Sequence, residues 1–331
     1  MCKKLILILM TIPFLGFGQN KTEKVATQVG AAAVITAGVI GLFKKKKDKN
    51  NTTEMQNPTK SKTSANPDGT YPVNTKPEEI LFNIYKCPNY KDFEVEVATN
   101  EKTGEIIYQK QKHCVWKPEV ADFGSFDEER AKYLREYAPT LATKVDTVMS
   151  FKQNGINNTI LATGSYFISE NNDIESSHAA SVLTGIIRLQ STDGKSMKLV
   201  SNQKIMTESG AWGKPGRISI LQIDDENIFY KMESSDMHQG VVNSLTDIYS
   251  LDGNLLIGYE DYDSSGMNDE NYDTHETKME IDQVGKIVKL ISSTKTYKKG
   301  KVIKNSKSIK TYQYGNGTIT EMKISTPKKA K

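Results

Sequence analysis

Short strand-like runs separated by turn signals fill the chain from residue 157 onward, and they constrain the fold more than any other feature. Runs such as NTILATGSYFI, RISILQI and NLLIGYE alternate with the turn signals TDGK, LDGN, KKGK and GNGT. Such spacing without intervening helical patterns is typical of antiparallel sheets. The sequence therefore predicts a mainly β fold over residues 157–331, either an antiparallel β-sandwich or a large β-meander.

The preceding segment, residues 77–156, is predicted to mix helix and hairpin. PEEILFNIYK has Pro77 in its first turn with acids behind it, which favours a short helix. FEVEVATNEKTGEIIYQKQ alternates apolar and polar residues on both sides of a Gly-containing turn, which indicates a hairpin. FDEERAKYLREYAPTLATKVDTVMSF is predicted to be helical, with a break at Pro139.

Residues 1–18 are predicted to be a signal peptide. MCKK supplies a positive start, LILILMTIPFLGFG an apolar core, and Gly16 and Gly18 suit the positions before a cleavage site. The Gln19 that follows resembles the start of mature proteins after secretory signals of Bacteroidetes. These features predict export to the periplasm or cell surface of a Gram-negative bacterium, and an uncleaved anchor is the alternative.

A second apolar segment lies within residues 19–43. VATQVGAAAVITAGVIGLF, residues 25–43, is long enough to span a bilayer but is rich in Ala, Gly and Thr, and KKKKDK follows it. Ala33, Ala37 and Gly41 form a row of small residues that suits close helix packing. A membrane helix, a self-associating helix and an interfacial segment all remain open, and the predicted partner is a membrane or a membrane protein.

The lysines after this segment bear on topology. If Lys44–Lys47 stay in the cytoplasm, the rest of the chain also faces the cytoplasm, which conflicts with export. Residues 44–76 are predicted to be a disordered linker, because they have almost no large apolar side chains and are rich in Lys, Asn, Thr and Pro.

Two cysteines remain after the predicted signal, Cys87 and Cys114. An isolated pair in an exported chain is usually a disulfide, and here it would tie together the ends of the predicted hairpin. Two unrelated buried thiols are the alternative.

The stretch YEDYDSSGMNDENYD fits much of a calcium-loop pattern. A calcium loop needs alternating oxygen ligands and a glycine at its sixth position, where Gly266 stands. Position twelve is Tyr272 where an EF-hand has glutamate, and the flanks read as strands. A strand-flanked Ca²⁺ site and a plain polar loop are the two hypotheses, and the candidate ligands are Asp261, Asp263, Ser265, Asp269 and Asp273.

Three elements carry a resemblance to a known group of proteins. SSHAASVLTGIIRL around His178, ESGAWGKPGRISIL around Trp212 and the Asp-Ser-Ser-Gly stretch follow one another over residues 157–283. In this order they resemble a group of bacterial envelope proteins to which no activity is assigned, and the resemblance implies a β-rich exported domain. Cysteines of that group beside the histidine are replaced here by Ser176, Ser177 and Ala180.

The sequence contains few of the motifs that indicate an enzyme. The four histidines form no short-spaced ligand pair, and no phosphate loop, dinucleotide fingerprint or G-x-S-x-G elbow occurs in the sequence. His178 suits a strand end better than a catalytic base. Trp212 has two interpretations: its side chain is buried in the sheet core, or it is exposed and stacks against a sugar ring. Both are kept as a candidate ligand surface.

Residues 283–320 contain nine lysines and no acid, although the net charge of the whole chain is only +4. Cross-strand charge pairing or protection of a sheet edge explains such lysines without a ligand. A surface for lipopolysaccharide or acidic glycan is the functional alternative. Nucleic acid is not expected, because arginine is absent from this stretch.

Together these features predict an exported cell-envelope protein that binds or scaffolds an unknown envelope protein or glycan, with Ca²⁺ as a candidate stabilising ion. The alternative is a secreted hydrolase acting on glycan or peptide, with a pocket near His178 and Trp212. A membrane-anchored domain facing the cytoplasm is the third hypothesis.

Overall fold

The computed structural model describes residues 65, 69–99, 103–137, 139–175, 180–210, 213–238, 240–267 and 270–322. The predicted signal peptide (1–18), the predicted apolar helix (19–43) and most of the predicted linker (44–76) lie outside these residues.

The first sheet has seven antiparallel strands in the order β1-β7-β6-β5-β4-β3-β2. From β2 to β7 each strand pairs with the next one along the chain, and β1 adds to the far edge by pairing with β7. The strands are β1 Thr70–Pro72, β2 Asn89–Thr99, β3 Ile106–Trp116, β4 Leu141–Gln153, β5 Ile156–Phe167, β6 Val182–Ser191 and β7 Ser196–Ser209.

Helical segments cover one face of this sheet: α1 Pro77–Ile84, α2 Glu128–Tyr137 and a short 3₁₀ helix, Val120–Phe123. Pro77 opens α1, and the Asp127 carboxylate accepts the Arg130 backbone N–H at the start of α2, at 2.8 Å. The first hydrophobic core lies under these helices and includes Leu81, Phe123, Leu134, Leu161 and Leu183.

The second sheet is an eight-stranded antiparallel meander in which every strand pairs with the next along the chain. Its strands are β8 Arg217–Gln222, β9 Ile228–His238, β10 Val241–Tyr249, β11 Leu255–Asp263, β12 Asn271–Asp282, β13 Ile287–Lys298, β14 Lys301–Gly315 and β15 Thr318–Glu321. A 3₁₀ turn, Ser265–Met267, lies between β11 and β12.

Strand β9 is buried on both faces, which explains its continuous apolar start. Ile228, Tyr230 and Met232 point to a second core, which they share with Ile160 and Ile186 of the first sheet. Successive strand residues point to opposite faces. Accordingly, Phe229 belongs instead to the third core.

The third core lies within the second sheet, because that sheet divides. Among the described residues, β11 and β12 pair only at Tyr262 with His275 and Asp263 with Thr274. Beyond these pairs the strands separate and enclose a core. Strands β9–β11 contribute Phe229, Ile248 and Ile257 to it, and Ile223 joins them from the segment between β8 and β9. From the other side β13–β15 contribute Val288, Leu290, Tyr312, Tyr314 and Ile319.

The predicted fold class is confirmed: the part of the chain that the structure describes is mainly β and contains two antiparallel sheets and two α-helices. The helix and hairpin predicted over residues 77–111 are present as α1, β2 and β3. The prediction of helix beyond Pro139 was wrong, because those residues form β4. Its alternating side chains, among them buried Phe151, pack between the sheets.

Two predicted boundaries meet ordered structure. The predicted linker, 44–76, includes β1 near its end, since Thr70 to Pro72 pair with β7. The boundary predicted between residues 156 and 157 falls at the start of β5, which pairs with β4 along its whole length.

Candidate functional site: the Asp146 cleft

The predicted calcium ligands lie on three different elements. Asp261 and Asp263 end β11, Ser265 begins the 3₁₀ turn, and Asp273 lies in β12. Asp269 lies outside the described residues. The four described positions are therefore close along the chain but spread over a strand end, a turn and the next strand.

Their side chains make local hydrogen bonds that do not converge. Asp261 Oδ1 accepts the backbone N–H of Thr277 at 2.6 Å, and Asp263 Oδ1 accepts the N–H of Ser265 at 2.8 Å. Oδ1 of Asp273 is buried without a hydrogen-bond partner among the described residues. However, Asp273 precedes the Thr274 that pairs with Asp263, so strand alternation turns its side chain to the other face.

Within the described part of the chain, no group of three His, Cys, Asp or Glu side chains is arranged to hold a metal ion. A closed Ca²⁺ site needs six to eight converging oxygens, whereas Oδ1 of Asp261 and Oδ1 of Asp263 each accept a nearby backbone N–H. The calcium hypothesis stays a prediction.

His178 and Trp212 both lie outside the described residues, but their neighbours meet. The backbone N–H of Gly213 donates to the carbonyl oxygen of Ala180 at 2.8 Å. The two chain segments that sequence analysis joined into one candidate pocket therefore come together at Ala180 and Gly213.

The predicted disulfide between Cys87 and Cys114 is present, with a Cα–Cα distance of 5.5 Å. It joins the segment after α1 to β3, and Cys114 is fully buried in the first core. Such a link stabilises a fold chiefly by restricting the unfolded chain, by roughly 3 kcal/mol for a loop of this order.

A β-bulge places the carboxylate of Asp146 between the two sheets. Val145 pairs with Thr163 and Thr147 pairs with Ala162, so Asp146 is the extra residue of β4. Bulges bend a strand and re-aim a side chain, and they are common beside functional sites.

Two neighbours bind the Asp146 carboxylate. The Tyr166 hydroxyl donates to Oδ1 at 2.9 Å, and the Lys144 ammonium forms an ion pair with the same oxygen at 2.8 Å. Burial raises the pKa of Tyr166, and the nearby Asp146 raises it further. Tyr166 is therefore a permanent hydrogen-bond donor that fixes the carboxylate.

Glycine is required opposite this carboxylate. A Cβ on Gly164 would lie 2.0 Å from Asp146 Oδ2 and 3.0 Å from the Tyr166 hydroxyl oxygen. Contacts this short are not tolerated, so any larger residue would displace the carboxylate. The glycine in the middle of β5 thus makes the space in which Asp146 sits.

A buried neutral histidine packs beside Tyr166. His113 is fully buried, and its ring makes edge contacts with Phe93 and Tyr166 at 5.3 and 5.8 Å between centroids. Burial lowers the pKa of His113 to about 4. Nδ1 lies 2.8 Å from the Gln111 carbonyl oxygen and therefore donates to it, which leaves Nε2 as a buried acceptor without a partner among the described residues.

The Asp146 cleft opens next to these groups and has a volume of about 280 Å³. The first sheet lines it with a carboxylate, hydroxyl groups and one methyl group, and β8 with its preceding loop provides the opposite wall. Thr147 and Arg217 are exposed at the rim, whereas Thr184 and Ile218 are buried. The full lining is Asp146, Thr147, Ala162, Thr163, Thr184, Pro215, Gly216, Arg217 and Ile218.

Sequence analysis missed Asp146, Lys144 and Tyr166. They come together through a bulge and through strand pairing, neither of which leaves a motif. The available signal was Gly164, an isolated glycine inside a strand pattern, which often marks a bulge or a close approach.

Comparisons with known proteins do not assign the chain. No protein-family model matches it, and no curated protein and no solved structure is significantly similar to it. Among the described residues, no helix combines the length and apolar character needed to cross a membrane.

Proposed function

We propose that this protein is an exported cell-envelope binding protein whose Asp146 cleft binds a single neutral sugar unit. The observation that supports this most is that a fixed carboxylate, several threonines and an exposed arginine are among the residues that line one small cleft. Sugar hydroxyls both donate and accept hydrogen bonds, so a carboxylate and an arginine on opposite walls suit them.

The charge balance favours a neutral ligand. Lys144 already pairs with the Asp146 carboxylate at 2.8 Å, so the charge of Asp146 is largely compensated inside the protein. A cationic ligand would compete with Lys144, whereas a sugar hydroxyl can add a hydrogen bond to the carboxylate.

The size and the apolar wall favour one ring. Pockets for drug-sized ligands span roughly 300–1,000 Å³, and this cleft, at about 280 Å³, lies just below that range. Pro215, Ile218 and Ala162 supply an apolar surface on which the C–H face of a sugar can pack.

Binding is favoured over hydrolysis, the rival function. Glycoside hydrolysis generally uses two carboxyl groups that flank the bond. The described lining of the cleft has one carboxylate, Asp146, and that one is fixed by Tyr166 and Lys144. Export is supported by the Cys87–Cys114 disulfide, because such bonds persist mainly in oxidising compartments.

The test is saturation-transfer NMR and calorimetry of residues 56–331 against free hexoses, N-acetylhexosamines and their disaccharides. We expect millimolar binding of at least one neutral sugar, weakened at least tenfold by Asp146→Asn and by Arg217→Gln. Arg217 is exposed, so its variant tests the cleft without disturbing the fold.

Asp247→Asn is the matched control. Asp247 accepts the Tyr249 hydroxyl at 3.1 Å and resembles Asp146 chemically, but it does not line the cleft. Binding lost equally in this control, or no binding of any sugar tested, would overturn the proposal. Release of reducing sugar from an oligosaccharide that stops in Asp146→Asn would establish the hydrolase instead.

A further inference from the structure

The hairpin of β13 and β14 extends beyond the hydrophobic cores as a single layer. All ten residues from Lys301 to Lys310 are exposed, and since successive strand residues point to opposite faces, neither face is covered there. β15 pairs with β14 only over residues 312–315, so within the described chain the outer edge of 301–310 has no strand partner. We call residues 295–310 the lysine ribbon.

The lysine ribbon carries a concentrated positive charge. Among the described residues, Lys299 is the only one of its lysines that forms an ion pair, a 3.6 Å contact with Glu270 in which both side chains are well exposed. No acid occurs between residues 283 and 320. The lysines of the ribbon are Lys295, Lys298, Lys299, Lys301, Lys304, Lys307 and Lys310.

Large apolar side chains between these lysines are exposed to solvent. Val302, Ile303 and Ile309 are 51%, 60% and 59% exposed. Isolated exposed apolar residues are common, but three on one uncovered strand, set among lysines, make the strand amphiphilic. Protection of a sheet edge explains the lysines and does not require these apolar residues.

We propose that the lysine ribbon docks on the anionic lipid surface of a membrane. Lysines close to an anionic leaflet are attracted to its headgroups, and apolar side chains beside them can enter the interface. The ribbon presents both groups on one element, and its charge complements that surface. An acidic glycan would use the lysines but would gain nothing from Val302, Ile303 and Ile309.

This inference is independent of the proposed function, because the lysine ribbon shares no residue with the Asp146 cleft. A protein that binds sugar in the cleft and docks through the ribbon would hold its ligand next to a membrane. Either property can fail without the other.

The experiment measures co-sedimentation of residues 56–331 with lipid vesicles. Gln56–Lys331 forms a compact unit that contains both sheets, all three cores and the disulfide, and it lacks the apolar segment predicted at 25–43. The probes are vesicles of phosphatidylcholine alone and of phosphatidylcholine mixed with phosphatidylglycerol, at low and at physiological salt. We expect binding to the anionic vesicles alone, weakened by salt.

Matched quadruple variants localise the binding. The first variant changes Lys298, Lys301, Lys304 and Lys307 to Gln. It should weaken vesicle binding by roughly several hundredfold, at roughly fivefold for each lysine near the surface. The control changes Lys117, Lys132, Lys152 and Lys198 to Gln. These four are also exposed and lie outside the ribbon, so they should change binding only a few-fold.

A third variant separates lipid from other polyanions. Val302, Ile303 and Ile309 changed to Ser should weaken binding to anionic vesicles and leave binding to a soluble acidic polysaccharide unchanged. Equal losses in ribbon and control variants, no binding to anionic vesicles at low salt, or binding to the polysaccharide alone would each overturn the proposal. Near-ultraviolet circular dichroism confirms folding of every variant first.

Discussion

Each of the two sheets contains an aspartate that accepts a tyrosine hydroxyl and lies opposite a glycine, and the two pairs differ chiefly in their charge balance. In the first sheet Tyr166 donates to Asp146 at 2.9 Å, and in the second Tyr249 donates to Asp247 at 3.1 Å. The glycines are Gly164 and Gly258, where an added Cβ would lie 2.0 Å and 2.8 Å from the respective carboxylate oxygens. The difference is Lys144, which pairs with Asp146.

Within the described residues Asp247 forms no ion pair, and burial raises its pKa although the hydrogen bond from Tyr249 opposes this shift. A buried carboxylate stays ionised more readily when a cation lies beside it, because the cation offsets the loss of solvation. Asp146 combines such a cation with an open cleft and is suited to bind a ligand, whereas Asp247 suits a structural role.

The first prediction concerns His113, which packs beside Tyr166. We expect its buried neutral ring to make the protein less stable in acid, and this is the largest effect predicted for either Asp–Tyr pair. The pKa of His113 falls from 6.5 to about 4 on folding. Between these values the unfolded chain binds more protons, so stability is lost as the pH falls from 6.5 to 4, by about 3 kcal/mol in total. Urea unfolding at several pH values measures this loss.

His113→Phe removes the titrating group and keeps an aromatic ring between Phe93 and Tyr166. Only the native protein should lose stability through this titration. Its free energy of unfolding should therefore fall by about 3 kcal/mol relative to that of the variant as the pH falls from 6.5 to 4. A pH-independent difference, or an NMR titration of His113 near pH 6.5 in the folded protein, would contradict the assignment of a buried neutral ring.

The second effect compares the two glycines. Gly164→Ala should destabilise the protein by about 2–3 kcal/mol, because its Cβ would meet the Asp146 carboxylate, which a bulge, a tyrosine and a lysine hold in place. Gly258→Ala meets Asp247 at a longer distance, so its cost should be smaller, about 1 kcal/mol. Thermal and urea unfolding rank the two, and the reverse order would show that Asp146 moves more freely than Asp247.

Replacing the aspartate of each pair with asparagine should change stability in opposite directions in the two sheets. Asp146→Asn should destabilise the protein by about 1–2 kcal/mol at neutral pH, because it leaves the partly buried Lys144 without its partner. Asp247→Asn should raise the melting temperature at neutral pH, because it removes a buried charge without a cation beside it.

The pH dependence of Asp247→Asn tests whether ionisation of Asp247 destabilises the protein. A carboxyl group whose pKa is raised on folding binds more protons in the native state, so stability falls as the pH rises above 3.8. The advantage of Asp247→Asn should therefore vanish at lower pH. A destabilised Asp247→Asn at neutral pH would mean that its hydrogen bonds outweigh the cost of the charge.

The sequence predicted the second sheet better than the first. Turns such as LDGN and KKGK contain Gly253 and Gly300 with φ of +79° and +73°, a conformation that glycine adopts without strain, so their positions could be predicted locally. The strand β4 was missed because the helical pattern of residues 126–137 was extended past Pro139, although a strand there is favoured by the β-branched residues Thr143, Val145 and Val148.

The candidate site could not be predicted for a different reason. Asp146, Thr184 and Arg217 are far apart in the sequence and meet through one bulge and the approach of β8 to β4. The disulfide was predictable because the same hairpin that brings Cys87 near Cys114 is encoded locally. Local patterns thus gave the elements, and long-range packing gave the site.

The last prediction concerns calcium. A Ca²⁺ ion bound at the predicted loop would place a cation beside carboxylates of the second sheet, as Lys144 does beside Asp146 in the first. We expect no measurable shift in melting temperature at millimolar calcium. Asp261 already binds the Thr277 N–H where β11 and β12 separate, and Asp273 lies on the opposite face from Asp263. Differential scanning fluorimetry with and without a chelator measures it. A rise that disappears when Asp261 and Asp263 are both changed to Ala would instead confirm a calcium site, with Asp269 as the natural further ligand.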